Sequence, residues 1–134
     1  MSKTFMLKIL TTSSEVVSEE VQNLTIKTDA GFIQILPNHE EMIISTVAAV
    51  TRFVDASGDK KELFTAKGIV NIKKEATYFC LDAAEFPEEI DLERAESAKK
   101  RAQEKLKEGN KLEVEIAKAC LERANLRIGL KGHS

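Results

Sequence analysis

The sequence predicts an α+β chain in two segregated parts: an N-terminal antiparallel β-sandwich over residues 1–86 and a C-terminal antiparallel two-helix hairpin over residues 87–134. Three observations carry this reading. Residues 4 to about 82 are rich in β-branched and aromatic side chains and several runs alternate with period two, as half-buried strands do. After Pro87 the apolar period changes to three and four. Every aromatic residue also precedes Pro87, so the two parts cannot share one kind of core.

Strands are expected at "TFMLKIL", "VQNLTIKT", "GFIQIL", "EMIISTVAAVTRFV", "KELFTA", "GIVNIK" and "TYFCLDA". Turn residues separate them in "TTSSE", "DAG", "PNHE", "DASGDKK" and "KKEA". Seven or more short strands at this spacing suit a sandwich or barrel closed by non-local pairing.

Pro87 cannot continue a strand ladder, and Asp91 stands where a helix needs an N-cap. Ile90 and Ala95 flank that cap as a hydrophobic staple. Ala95, Ala98, Ala102 and Leu106 then form one apolar stripe, with acidic residues early and basic ones late, as the macrodipole favours. "EGNK" ends this helix, and a left-handed Gly109 is expected there. A second helix follows, with Val114, Ala117, Leu121, Ala124 and Ile128 as its stripe. Alanine buries little area, so this seam is thin, and the hairpin needs a surface to dock on, whether its own β-part or a partner.

Composition narrows the function. The 134 residues are 43% hydrophobic and 31% charged, with a net charge of −2, so the chain as a whole has no strong pull on nucleic acid or anionic lipid. No apolar run approaches the roughly 20 residues of a spanning helix, and the N-terminus resembles neither a signal nor a transit peptide. Cys80 and Cys120 provide no disulfide framework and are expected as small buried residues in a reducing compartment. His39 in a turn and His133 in the tail are the only histidines, too few for a metal site or a histidine-based catalytic group. The six glycines form no phosphate loop and no dinucleotide fingerprint. The expected protein is not an enzyme and requires no cofactor.

The order of these pieces resembles the epsilon subunit of the bacterial and chloroplast F-type ATP synthases, across essentially the whole chain. "GFIQILPNH" is similar to a Gly-x-x-Gly-Ile-Leu-Pro-x-His segment, with Gly31, Ile35, Leu36, Pro37 and His39 in register and Gln34 in place of the second glycine. "KGIVNI" is similar to a Gly-Gly-Phe-Leu-x-Val strand, with Lys67 in place of its first glycine and Gly68 retained. "EEIDLERAESAKKRAQEKL" resembles the start of the family's C-terminal domain.

The resemblance implies a non-catalytic central-stalk subunit that couples ion translocation through the c-ring to ATP synthesis. The β-sandwich would contact the gamma subunit and the c-ring, with Gly31, Phe32, Gln34, Pro37 and His39 as the contact loop. The C-terminal helices would reach the alpha/beta catalytic ring and inhibit ATP hydrolysis through Lys118, Arg123 and Arg127, facing an acidic loop of the beta subunit. In some bacterial members the Ile-Asp-x-x-Arg-Ala segment binds ATP as a weak regulatory ligand. Here that segment is Ile90, Asp91, Arg94 and Ala95, with Glu85 upstream and Arg101 and Lys105 further along the helix. Arg94, Arg101 and Lys105 lie seven and four apart, so one helical face could offer several donors to phosphate. The implied location is peripheral, on the cytoplasmic face of a bacterial inner membrane, with the chloroplast thylakoid as second choice. No nucleic-acid contact and no direct membrane insertion are expected. A different class of function remains open: a free-standing nucleotide-responsive binding module with a helical lid.

Overall fold

The computed structural model describes residues 3–132; His133 lies outside the described residues. The chain divides into two compact units, Met1–Glu85 and Phe86–Ser134, each built around its own contacts.

The first unit contains nine strands among its described residues: β1 (Phe5–Leu10), β2 (Glu15–Thr28), β3 (Gly31–Ile35), β4 (Met42–Thr46), β5 (Ala49–Asp55), β6 (Lys60–Thr65), β7 (Gly68–Ile72), β8 (Thr77–Leu81) and β9 (Ala84–Glu85). Their order is β4-β7-β8-β1-β2-β5-β6-β9, with β3 also paired to β2. Pairing is antiparallel throughout except between β1 and β8, which run parallel with Leu7 beside Thr77 and Ile9 beside Phe79. A purely antiparallel sandwich was expected. The parallel pair arises because β1 and β8 are far apart in sequence and meet without a hairpin.

β2 is the element that folds this sheet over. Its first half pairs with β1, and its second half pairs with both β3 and β5. Between Val21 and Asn23 the register shifts. That extra residue moves the buried side from the odd positions Val17 and Val21 to the even positions Leu24 and Ile26. "EVVSEE" was not among the expected strands; glutamate is a poor strand former, yet pairing with β1 holds this segment extended. "EMIISTVAAVTRFV" is two strands rather than one. The chain leaves β7 at Thr46, Val47 N–H donates to the Lys27 carbonyl at 3.0 Å, and β5 begins against β6 before joining β2 at Arg52.

Alternation fills the interior. Leu7, Ile9, Leu24, Ile26, Ile35, Phe53, Leu63, Phe64, Val70 and Phe79 are almost wholly buried. The buried hydroxyls of Thr51 and Thr65 satisfy each other at 2.7 Å, and no buried side-chain polar atom lacks a partner among the described residues. Cys80, expected inside, is exposed: strict alternation along β8 sends Phe79 inward and its neighbour outward.

The second unit opens with a single 3-10 turn, Pro87–Glu89, whose Glu89 carboxylate accepts from Phe86 N–H at 3.1 Å. Two helices follow, α1 (Leu92–Glu108) and α2 (Lys111–Gly132). Asp91 caps α1, its carboxylate accepting from Arg94 N–H at 3.1 Å, and the flanking Ile90 and Ala95 are both buried. Ala95 and Ala102 from α1 and Ala117 and Ala124 from α2 are buried in the hairpin. Gly109 corrects one expectation. Its φ is −76°, not left-handed, and glycine is needed there because a Cβ would lie 2.7 Å from the Lys105 carbonyl and 2.9 Å from Glu113 Cβ. Asn110 caps α2 through Glu113 N–H at 2.9 Å.

Candidate functional site: two apolar surfaces and a basic helix face

No cluster of His, Cys, Asp or Glu among the described residues could hold a metal, and no helix of them is long and apolar enough to cross a membrane. The ionic group around Asp55 is architectural. Buried Asp55 accepts from Ser57 N–H, Ser57 Oγ and Asp59 N–H at 2.9–3.0 Å and lies 3.4 Å from Lys61 Nζ, which also reaches Glu19. The Asp59 N–H holds the Asp55 carboxyl below its usual range against the opposing effect of burial, with Ser57 and Lys61 adding to it. Together these bonds close the turn between β5 and β6.

The predicted contact loop is a β2–β3 hairpin and the segment after it. Gly31 has φ +121°, a conformation that only glycine adopts readily, and it follows the Asp29–Ala30 turn. Thr28 locks that turn, its Oγ1 donating to the Gly31 carbonyl at 3.0 Å and accepting from Ala30 N–H at 3.1 Å. Phe32, Gln34 and Leu36 follow at period two and are all exposed, Phe32 by 60% with Lys27 Nζ 5.6 Å from its ring centre. Pro37 begins a turn in which Asn38 has φ +65°, and His39 Nδ1 lies 2.9 Å from the Glu40 carbonyl oxygen. Pro37 and His39 are half-buried. His39 lines a surface cavity of about 720 Å³ with Glu40, Glu41, Lys73 and Lys74.

A second apolar surface was missed. The register of β4, β7, β8 and β1 sets Ile43, Ile69, Tyr78, Cys80 and Leu10 on the outward face of the sheet. Ile43 is 69% exposed and Ile69 51%. A signal existed: in "MIIST" and "GIVNI" two large apolar residues stand side by side, and neighbours on a strand must point to opposite faces. One of each pair was bound to face out.

On the helices, the predicted nucleotide residues have divided duties. The Asp91 carboxylate is engaged as a cap, and Ile90 and Ala95 are buried. Arg94, Arg101 and Lys105 are exposed on α1, and Lys105 approaches Glu113 at 3.7 Å. Glu85 lies in β9, paired with Phe64 of β6. Of the predicted inhibitory residues, Lys118 is exposed and 3.5 Å from Glu115, whereas Arg123 and Arg127 are half-buried. An Arg123 guanidinium N–H donates to Cys120 Sγ at 3.4 Å. Leu112 and Ile116, 70% and 57% exposed, form a further apolar strip on α2, away from Ala117 and Ala124.

The first unit is thus a β-sandwich with apolar side chains exposed on its surface, and the second a helical hairpin with a seam of alanines. Comparison with known proteins gives the family. Residues 4–87 match the beta-sandwich domain of the ATP synthase delta/epsilon chain, and residues 88–132 match its long alpha-helix domain. The ATP synthase epsilon chain of Clostridium botulinum (strain Eklund 17B) is 42% identical, covering 98% of each chain. That of Clostridium novyi is 38% identical over 96% of this chain and 98% of its own. The fold is also similar to a chain in the Euglena gracilis mitochondrial ATP synthase OSCP/F1/c-ring structure, with TM-score 0.80 and 19% identity over 91% of this chain and 78% of that one. The protein belongs to the ATP synthase delta/epsilon chain family, as a non-catalytic epsilon-type subunit of the complex.

Proposed function

We propose that this subunit belongs to the rotor, couples c-ring rotation to ATP synthesis through its β-sandwich, and restrains ATP hydrolysis through its helical hairpin. The observation that carries the reading is the outward apolar face around Ile43 and Ile69. Large aliphatic side chains gain about 1.5–3 kcal/mol each when fully buried, so this face is a ready docking surface for the gamma subunit. Phe32, Gln34 and the Pro37–His39 turn are the proposed contact with the c-ring and the adjoining part of gamma. The hairpin supports the second half of the proposal, because its seam is alanine while Leu112 and Ile116 face solvent. Folding back on α1 and extending onto the alpha/beta ring can then be close in free energy, which is what a switch requires. ATP at Arg94, Arg101 and Lys105 would favour the folded-back form. The proposed location is the cytoplasmic face of the membrane that carries the complex.

Co-purification tests the docking face. The parent chain should bring down gamma stoichiometrically, and the double substitution Ile43→Glu with Ile69→Glu should abolish capture while leaving the far-ultraviolet circular dichroism unchanged. Undiminished capture of gamma by the folded double variant would remove this face from the rotor interface.

A further inference from the structure

The last turn of α2 is made of weak material. Gly129 and Gly132 lie in it, and glycine is the poorest helix former after proline. Neither is required sterically: an added Cβ at either position meets nothing within 4 Å. Within the helical unit a polar bond ties this turn to the segment that precedes α1. Lys131 Nζ donates to the Pro87 carbonyl at 2.9 Å, across 44 residues of sequence, and Ile90 N–H donates to the same oxygen at 3.2 Å. Leu130 beside the lysine is buried, as is Ile90 beside the cap of α1.

From this we infer that the terminal turn of α2 is a releasable clasp: Lys131 holds the free end of the hairpin to the Pro87–Ile90 segment, while Gly129 and Gly132 keep that turn easy to open. A shared carbonyl makes the clasp two-ended. Losing the lysine leaves Pro87 with a single donor, so both the end of α2 and the turn before α1 loosen together. A lysine that merely complemented the negative end of the helix macrodipole would act only within the last turn of α2. The clasp concerns the hairpin itself and does not depend on the rotor reading.

Amide hydrogen exchange on the isolated full-length chain tests it. Lys131→Met keeps the aliphatic stem and removes the donor. It should speed exchange about three- to tenfold both over residues 124–132 and at Ile90, as expected for a partly exposed charge-assisted bond. Amides in β2 and β5 should not change. Gly129→Ala, which cannot fail by unfolding the turn, should slow exchange over 124–132 by about three- to fivefold. If Lys131→Met accelerates only the end of α2 and leaves Ile90 as in the parent, the shared carbonyl does not couple the two segments and the clasp is refuted. Equal acceleration of β2 and β5 would refute it too, since the bond would then be part of global stability. No response to either substitution is equally fatal.

Discussion

Asp55 shows how one side chain carries a turn. Three short bonds from Ser57 and Asp59 converge on its carboxylate, and Lys61 stands at 3.4 Å with Glu19 behind it. The folded carboxyl is therefore a stronger acid than in the unfolded chain, whose value is about 3.9. A depressed carboxylate contributes stability above the unfolded pKa and loses it as pH falls through the folded one. Urea midpoints for the parent and Asp55→Asn should therefore differ most at neutral pH and converge below pH about 4. A gap independent of pH would mean that the hydrogen bonds, not the charge, hold the turn. Lys61 has the opposite linkage. Burial works against its charge, yet Asp55 and Glu19 outweigh it and raise the pKa, so its contribution fades only as pH climbs past the usual lysine value near 10.4. Arg94 poses a question of ligand rather than stability. Its side chain is exposed and makes no ion pair among the described residues. If ATP binds, Arg94→Ala should weaken it about tenfold in isothermal titration, the worth of one charge-assisted contact, and Lys111→Ala should weaken it less. Absence of saturable binding at millimolar ATP would dispose of the nucleotide site.

Gly109 joins the helices through proximity rather than an unusual dihedral. Its N–H donates to the Lys105 carbonyl at 2.8 Å, and any Cβ would press on that oxygen and on Glu113. Gly109→Ala should therefore destabilise the hairpin by about 1–3 kcal/mol, the usual cost of overpacking. The expected readout is faster amide exchange in α1 and α2 with the β5 amides unaltered; an alanine variant as protected as the parent would show that the turn yields freely. The same position marks how far the sequence could be read. That a glycine ends α1 is visible in "EGNK", but whether it serves φ or space depends on where Glu113 comes to rest, which only the packed hairpin decides. Asp91, Ile90 and the alanine stripe were legible because a cap and its staple are local. The first half of β2 was not, because only long-range pairing with β1 makes "EVVSEE" a strand. Nor was the corner at Val47, where the chain exchanges one set of strand partners for another. At the candidate surfaces Phe32 was named only through the family resemblance, and its exposure comes from the alternation of β3, whereas the Ile43 and Ile69 face required the register of four strands.

At the scale of the whole molecule, stability and exposure are unequally distributed. The first unit buries Phe53, Phe64 and Phe79 almost completely, while the helical unit relies mainly on alanines and a few larger side chains. The unit with the firm core suits a permanent seat on the stalk, and the thin one suits a part that leaves its place. Arg123 and Arg127 connect that difference to control of hydrolysis. They lie four apart and so share a helix face. From Ile116 onward the chain has Lys118, Arg123, Arg127 and Lys131 against the single acid Glu122. In the folded-back hairpin both arginines are half-buried, and Arg123 is turned toward Cys120. Extension of α2 would free them to meet an acidic surface on the catalytic ring. Opposed charges on a rotor and its surrounding ring would resist rotation driven by hydrolysis, with a reach of about 10 Å at 0.1 M salt. Arg123→Glu with Arg127→Glu should accordingly raise the ATP hydrolysis rate of the assembled complex without releasing the subunit from gamma. Added salt should raise the parent's rate toward that of the variant. If hydrolysis stays as restrained as in the parent, with subunit stoichiometry confirmed, the braking contact lies elsewhere, and the exposed Leu112 and Ile116 strip becomes the next surface to substitute.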